Sequence, residues 1–361
     1  MSMDVILGHL EALVGFDTQN PPRLIRGDSE IFRYCNDQAG AGFQIRTWDH
    51  GDGHVSWFAV RGKPRVLFNV HLDTVPDGNG WSGDPHKLSV ANGRAYGRGA
   101  CDIKGAAAVL LTLARQTDGP LALLFTSDEE GAGGCCVANF LDSGEAEPFE
   151  QIIVAEPTNC KAVLGHRGYL SVKTRFHGAS GHSSEARALQ ENANHQMAGW
   201  AAAALQLASE RKQASGDPGT CMNIGVVEGG SKSNVIAGHS FVHWSARLRP
   251  GESNEEFLQT IQRCVLPGSN VDWEVPFQGE PLPAAGKDNL VSRRFCEAQG
   301  LPVGEPVDFW TEASLFSAAG IPAIVLGPGD IGQAHITDEW VALEQLETAH
   351  KLYQRVVTND G

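Results

Sequence analysis

The chain has 361 residues, 42% hydrophobic and 20% charged, with 43 acidic against 28 basic side chains and a formal net charge of −15. That length allows two domains, the balance is globular rather than disordered or fibrous, and no apolar run approaches the roughly 18 residues a bilayer span needs. A surface this negative repels phosphate backbones, which argues against nucleic acid and anionic membranes as partners but leaves the charge of a small substrate open.

Val5, Ile6, Leu10, Leu13 and Val14 fit one face of an amphipathic helix. No basic region leads into them, so a core-facing first helix is expected rather than a signal peptide. Val55 to Val60 and Val66 to Val70 read as a strand pair joined by the turn-rich Arg61-Gly62-Lys63-Pro64-Arg65. Gly105 to Arg115, rich in Ala and Leu, predicts a helix; Leu121 to Thr126 and Ile152 to Ala155 predict buried strands. Such alternation is the sign of an α/β sheet with crossover helices.

The middle of the chain has another texture. Tyr169 to Phe176 alternates like a half-exposed strand, and an Ala-rich helix is predicted from Leu189 to Arg211, followed by a polar loop, Gln213 to Gly219. Strands at Met222 to Val227 and Phe241 to Leu248, a helix at Asn254 to Val265 and a strand at Val271 to Phe277 complete a βαββαβ order, which resembles a ferredoxin-like unit. Late in the chain, Glu312 to Ala319 reads as a helix stopped by Gly320 and Pro322, Ala323 to Leu326 as a buried strand, and Ala342 to Val357 as a closing helix. The expected architecture is a central, mostly parallel sheet flanked by helices, formed by residues 1–166 and 279–361. Into it is inserted an α+β domain of residues 167–278.

Eight cysteines are scattered without a C-x-x-C, and Cys135 and Cys136 are adjacent, a poor geometry for bridging each other. Free thiols in a reducing compartment, the cytoplasm, are expected.

Metal-type side chains recur just after the buried runs. Val66 to Val70 leads into His71-Leu72-Asp73, and the strand period of two puts His71 and Asp73 on one face. Leu121 to Thr126 leads into Ser127-Asp128-Glu129-Glu130, Ile152 to Ala155 into Glu156, and Ala323 to Leu326 into a Gly-Pro-Gly loop and His335. In open α/β sheets, ligands bind outside the carboxyl ends of the strands. Asp102 stands apart, ending the glycine-rich turn Gly97 to Cys101 and starting a helix. Any one of these acids is more often a turn former or helix cap than a catalyst, and a lone loop histidine is more often a surface residue. The set is different, because clustered carboxylates repel strongly unless cations neutralise them. Two imidazoles with several carboxylates suit zinc, cobalt or manganese better than calcium.

Four segments, Asn69 to Pro76, Gly97 to Gly105, Ser127 to Glu130 and Ala155 to Thr158, resemble the signature blocks of the co-catalytic zinc aminoacylase and carboxypeptidase family. Within it, Phe16-Asp17-Thr18-Gln19-Asn20-Pro21-Pro22, Thr311-Glu312-Ala313 and Gly327 through His335 with Asp338-Glu339 are most similar to the acetylornithine deacetylase subgroup. The likeness runs from about Phe16 to Trp340. It implies a zinc-exopeptidase-like fold with a lid and dimerisation domain, and removal of the acetyl group from N-acetyl-L-ornithine or N-acetyl-L-citrulline.

Carried over by residue, the resemblance implies two divalent metals, zinc or cobalt. One would be held by His71, Asp102 and Glu156, the other by Asp102, Glu130 and His335, with Asp102 bridging. Asp73 would orient His71 through a hydrogen bond. Glu129 would act as general base toward a water whose pKa metal coordination can lower from 15.7 to about 7. His182, in Gly178 to Ser184, resembles a lid histidine that reaches the partner subunit's site and stabilises the tetrahedral oxyanion, which implies a homodimer. On its own, His182 reads first as a residue of a strand-to-helix loop, and Arg247 as a solvated strand charge. The resemblance makes Arg247 a grip for the substrate carboxylate, assisted by Asn234, and Glu312 a recogniser of the substrate's amino-acid end. Ser245 and Ala237 depart from the pattern, standing where Asp and Pro are common.

Rival readings fare worse. A dinucleotide site needs G-x-G-x-x-G after a strand, and Gly97-x-Gly99 runs into Asp102 instead. A serine hydrolase needs G-x-S-x-G, and Gly178-Ala179-Ser180-Gly181 is one residue short. A metal-free binding protein on the same fold would not need the whole ligand set and Glu129. Within the family, a hydrolase of succinyl-diaminopimelate or of dipeptides is the alternative. Asp308 to Ser314 resembles the acetylcitrulline branch.

Overall fold

The computed structural model describes residues 2–22, 25–131, 135–215 and 219–359. They form two compact units, one of Met1–Gly165, Asp288–Pro306 and Thr311–Gly361, the other of His166–Lys287 with Val307–Trp310.

The first unit is built on a six-stranded sheet in the order Gln44–Asp49, Val55–Arg61, Leu121–Thr126, Val66–His71, Gln151–Val154, Ala323–Val325. The last four run parallel, and the first two are antiparallel additions at one edge. Every residue of the three central strands is buried, which is why they read as continuous apolar runs rather than as alternation. The helix Lys104–Gln116 buries eleven consecutive residues, Lys104 through Ala114, because the helices Ser2–Gly15 and Leu343–Asn359 pack against it. On the first helix, Ile6, Leu10, Leu13 and Val14 enter the core, but Val5 is 40% exposed. At 3.6 residues per turn it lies about 100° around the helix from Ile6, outside the stripe.

The expected strand pair is corrected by the sheet order. Val55–Arg61 and Val66–His71 do not pair with each other, since Leu121–Thr126 lies between them. Their connection must therefore cross two interstrand steps, roughly 10 Å, which residues 62–65 can span. Arg61 holds the intervening chain in place, donating from its guanidinium to the carbonyls of Gly119 and Ala114 and to Thr117 Oγ1. A feature not anticipated is a small antiparallel sheet of Ser89–Ala91, Arg94–Tyr96 and Trp340–Ala342, which pairs Trp340 with Tyr96.

The second unit is a four-stranded antiparallel sheet in the order Cys221–Gly229, His239–Arg247, Tyr169–His177, Asn270–Gly279. Its helices, Ala193–Ser215 and Asn254–Gln262, cover one face over a core that includes Leu170, Val172, Trp200, Trp244 and Phe257. The long helix starts four residues later than expected, after the short 3-10 turn Ala186–Leu189. Of the expected loop, residues 213–215 continue the helix and 216–218 lie outside the described residues. Val307–Trp310 belongs to this unit: the Arg167 N–H donates to Val307 O, and Trp310 meets Phe277 edge-on.

Trp200 is fully buried, touches the rings of Phe176, Trp244 and Trp273, and donates its indole N–H to Ile261 O. Trp200→Ala is expected to cost the second unit about 3–5 kcal/mol. Urea denaturation followed by circular dichroism checks this; a loss under 1 kcal/mol would place Trp200 outside the core.

Candidate metal centre

Parallel strands present all their carboxyl ends at one edge, and the site is assembled there from the residues that follow each strand. His71 is the last residue of its strand, Glu129 and Glu130 follow Thr126 by three and four, and Glu156 follows Val154 by two. His335 arrives from the loop after Val325. Asp102 comes from the turn ahead of helix Lys104–Gln116. That turn needs glycine at position 99, where φ is +80° and a Cβ would lie 2.8 Å from Lys104 Cδ.

The five expected metal-binding side chains meet around Asp102. Its Oδ1 lies 3.1 Å from His71 Nε2, and its Oδ2 lies 3.2 Å from His335 Nε2. Glu156 Oε1 stands 3.4 Å from His71 Nε2, and Glu130 Oε1 stands 2.9 Å from His335 Nε2. One carboxylate thus faces two imidazoles, and each imidazole faces a second carboxylate. Glu156 Oε1 is buried without a hydrogen-bond partner. The donor set, two imidazole nitrogens and three carboxylates with one shared, fits two divalent cations of the zinc or cobalt type.

The surrounding residues hold this set. His71 Nδ1 lies 3.0 Å from the Asp73 carbonyl, while Asp73 Oδ1 is farther, at 3.6 Å. The expected carboxylate-to-imidazole bond is therefore made by the backbone oxygen, and Asp73 Oδ2 instead accepts the Glu130 N–H at 3.0 Å. Asp73 ties the two ligand-bearing loops together. Glu129 is half-buried beside Glu130. Burial raises its carboxyl pKa well above the usual range, with Glu130, Glu156 and Asp102 adding to the rise and His71 opposing it. A second group, His54, Asp128 and Cys136, also has metal-type atoms close together. There Asp128 Oδ2 already accepts from Cys136 N at 3.0 Å and lies 2.8 Å from His54 Nδ1, a hydrogen-bonded strut at the start of helix Cys135–Asp142.

Of the remaining expected residues, one is in the first unit and three are in the second. Glu312 is in the first unit but only 1% exposed, with Thr126 Oγ1 donating to its Oε2 at 3.1 Å; burial, then Asp128, pushes its pKa up to about 8. His182, Asn234 and Arg247 belong to the second unit. His182 is exposed on the two-residue strand Gly181–His182, which pairs with Val235–Ile236, and its Nδ1 lies 2.8 Å from Ser184 Oγ. Asn234 O accepts the Ser183 N–H. Arg247 ends its strand with the guanidinium carbon 4.0 Å from the Tyr169 ring centroid. Two residues of the site escaped the spacing argument, Arg98 and Glu339. The only hint was the Asp338-Glu339 pair near His335, and an acid beside a ligand does not reveal its partners.

A model of "Peptidase family M20/M25/M40" matches residues 67–359. The chain belongs to this family. Among its relatives, the N-acetyl-L-citrulline deacetylase of Xanthomonas campestris pv. campestris is 45% identical, over 97% of this chain and 97% of the relative. An acetylornithine deacetylase of Aliivibrio salmonicida is 30% identical over 91% of this chain and 89% of the relative. The crystal structure of aminopeptidase PepT from Bacillus cereus superposes with a TM-score of 0.76 at 20% identity, covering 98% of each chain, a likeness of fold. The M20/M25/M40 match includes all five candidate metal-binding residues.

Hydrogen bonds to Asp102 and then Glu130 raise the His335 pKa to about 11, so its imidazole is protonated at neutral pH in the metal-free protein. Metal must displace that proton, and the displacement becomes easier as pH rises toward 11. Zinc or cobalt affinity is expected to strengthen about tenfold per pH unit for each displaced proton between pH 6 and 9. Calorimetric titration in buffers of different ionisation enthalpy measures the released protons; an affinity independent of pH would contradict the protonated His335.

Proposed function

We propose that the protein is a metal-dependent amidohydrolase that removes the acetyl group from an N-acetylated amino acid, with N-acetyl-L-citrulline the favoured substrate. The observation that carries the reading is Asp102, whose two oxygens each face a different imidazole. Acetylcitrulline is favoured over acetylornithine by the higher identity of the citrulline deacetylase, 45% against 30%, over nearly the full chain. Acetylornithine is the second reading, and both place the reaction in arginine biosynthesis.

His71, Asp102 and Glu156 would hold one cation, and Asp102, Glu130 and His335 the other, as zinc or cobalt. When bound, the pair supplies Lewis acidity and a lowered pKa for water. Glu129 takes the proton of the attacking water, whose oxygen adds to the acetyl carbonyl carbon. As the C–N bond breaks, Glu129 returns the proton to the departing nitrogen, giving acetate and the free amino acid. Once the cations are in place, their charge favours the ionised form of Glu129 that this role needs.

His182 would stabilise the oxyanion from the partner subunit, and Arg247 would grip the substrate carboxylate with help from Asn234. Support for a homodimer through the second unit comes from its edge strand Cys221–Gly229, where Val226 and Val227 are 42% and 52% exposed. Such an edge is a template for pairing with another chain. Glu312, buried against Thr126, is assigned a supporting place beneath the site instead of a contact with substrate. Free cysteines throughout support a cytoplasmic location.

Glu129→Gln is expected to retain two metals per chain and lose about 10²–10⁴-fold in kcat. Metal analysis paired with an acetate-release assay tests it, and near-normal turnover would remove Glu129 from the role. A comparison of acetylcitrulline, acetylornithine and succinyl-diaminopimelate on zinc- or cobalt-loaded enzyme should give the highest kcat/KM for acetylcitrulline. Preference for acetylornithine would favour the second reading, and no hydrolysis by metal-loaded protein would point to a non-catalytic relative.

A further inference from the structure

Beside the metal centre, one buried ion pair makes an unusual number of backbone contacts. Glu339 is 1% exposed and Arg98 is 2% exposed. Glu339 Oε1 accepts the N–H groups of Cys101 and Asp102, at 2.9 and 3.0 Å. Its Oε2 accepts the Gly99 N–H at 3.1 Å and Arg98 Nη1 at 2.8 Å. Four donors thus use the carboxylate's full acceptor capacity, and three of them are backbone N–H groups of the turn that delivers Asp102.

Arg98 extends the connection to two other ligand-bearing loops. Its Nη2 donates to the carbonyls of Asp77 at 3.0 Å and Pro76 at 3.3 Å, in the loop that follows His71 and Asp73. Its Nη1 donates to the carbonyl of Ile336 at 3.3 Å, next to His335. The Trp81 ring packs against the guanidinium carbon at 4.9 Å. The small antiparallel sheet fixes the source of the acid, since Trp340 pairs with Tyr96 and the Gly97 N–H donates to Glu339 O. Three chain segments that carry His71, Asp102 and His335 therefore converge on one carboxylate and one guanidinium.

We infer that Glu339, through Arg98, is a positioning residue that sets the spacing of the two halves of the metal centre. The assignment rests on the two-metal reading of that centre. An ordinary buried ion pair would lend stability alone; this one binds the backbone of the segments that carry His71, Asp102 and His335, so its loss should move those ligands. Glutamine at position 339 has nearly the same shape but turns one end into an NH₂ donor, facing two donors that then lack an acceptor. Lysine at position 98 keeps the charge but cannot reach three carbonyls with a fork.

The test uses full-length protein titrated with Co(II). Wild type should bind two Co(II) with a defined visible absorption spectrum. Glu339→Gln should bind one Co(II) about 10–100-fold more weakly, with an altered spectrum, and should lose kcat by a similar factor while KM stays within about threefold. Arg98→Lys should shift the spectrum in the same sense, and it stands in should Glu339→Gln fail to fold. Val356→Ala, a core change at a residue that makes no hydrogen bond to Glu339 or Arg98, is the control for plain destabilisation: it should lower the unfolding midpoint and leave the spectrum alone. Two Co(II) at wild-type affinity with an unchanged spectrum in both Glu339→Gln and Arg98→Lys would overturn the assignment while leaving the metal centre intact. A wild type that takes up no cobalt pair would overturn the metal-centre reading itself, and this assignment with it.

Discussion

Repulsion among buried carboxylates is the constraint from which the rest of this structure follows. Asp102, Glu130 and Glu156 crowd two imidazoles at one edge of the sheet, with Glu129 beside them. Two like charges about 4 Å apart at an effective dielectric near 20 repel by about 4 kcal/mol. Several such pairs would rival the whole stability of a domain, about 5–15 kcal/mol. The repulsion is therefore relieved by protons held on the acids themselves, as the raised Glu129 carboxyl pKa shows, or by positive charge beside them. In the bare protein the positive charge comes from His71 and His335: burial lowers the His71 pKa but the acids around it raise it well above the usual value, and hydrogen bonds to Asp102 and Glu130 raise that of His335. Divalent cations on the same donors are the reading that makes such a cluster useful.

The fold supplies what such a site needs, which is convergence without flexibility. Parallel strands bring their carboxyl ends to one edge, and three of the four carry candidate ligands within a few residues of a strand wholly buried on both faces. Asp102 comes from outside the sheet, and the route it takes explains several otherwise odd features. Its turn needs a glycine at position 99, a small antiparallel sheet brings Glu339 alongside, and Arg98 is buried without a surface role. Asp73 contributes in the same manner, by joining the backbones of two ligand loops rather than by meeting the metal site directly.

The second unit has its own core and its own logic. Trp200 and Trp244 fill one face of its sheet, leaving Tyr169, Phe277 and Arg247 off that core. An arginine stacked on tyrosine is held in place with little rotamer freedom, which suits the carboxylate grip proposed for it. Under the proposed function, the choice between a neutral ureido side chain and an ammonium is not decided by the proposed metal centre, since both candidate substrates would present the same acetyl amide to it.

Much of this protein could be read without coordinates. Apolar runs at Val66, Leu121, Ile152 and Ala323 announced buried strands because strands covered on both faces must be apolar throughout, and the acids and histidines after them named a candidate site because chemistry sits at carboxyl ends. The βαββαβ order was legible for a similar reason, since helical and strand periodicities differ. What stayed hidden depended on partners distant in the chain. Strand order placed Leu121–Thr126 between two neighbours in sequence, Val5 fell outside its helix's buried stripe, and Glu339 found its four donors some 240 residues upstream. Residue type and spacing determine which atoms can bind a cation; only the folded backbone decides which of them meet, because hydrogen bonds between distant loops leave no periodic trace in a sequence.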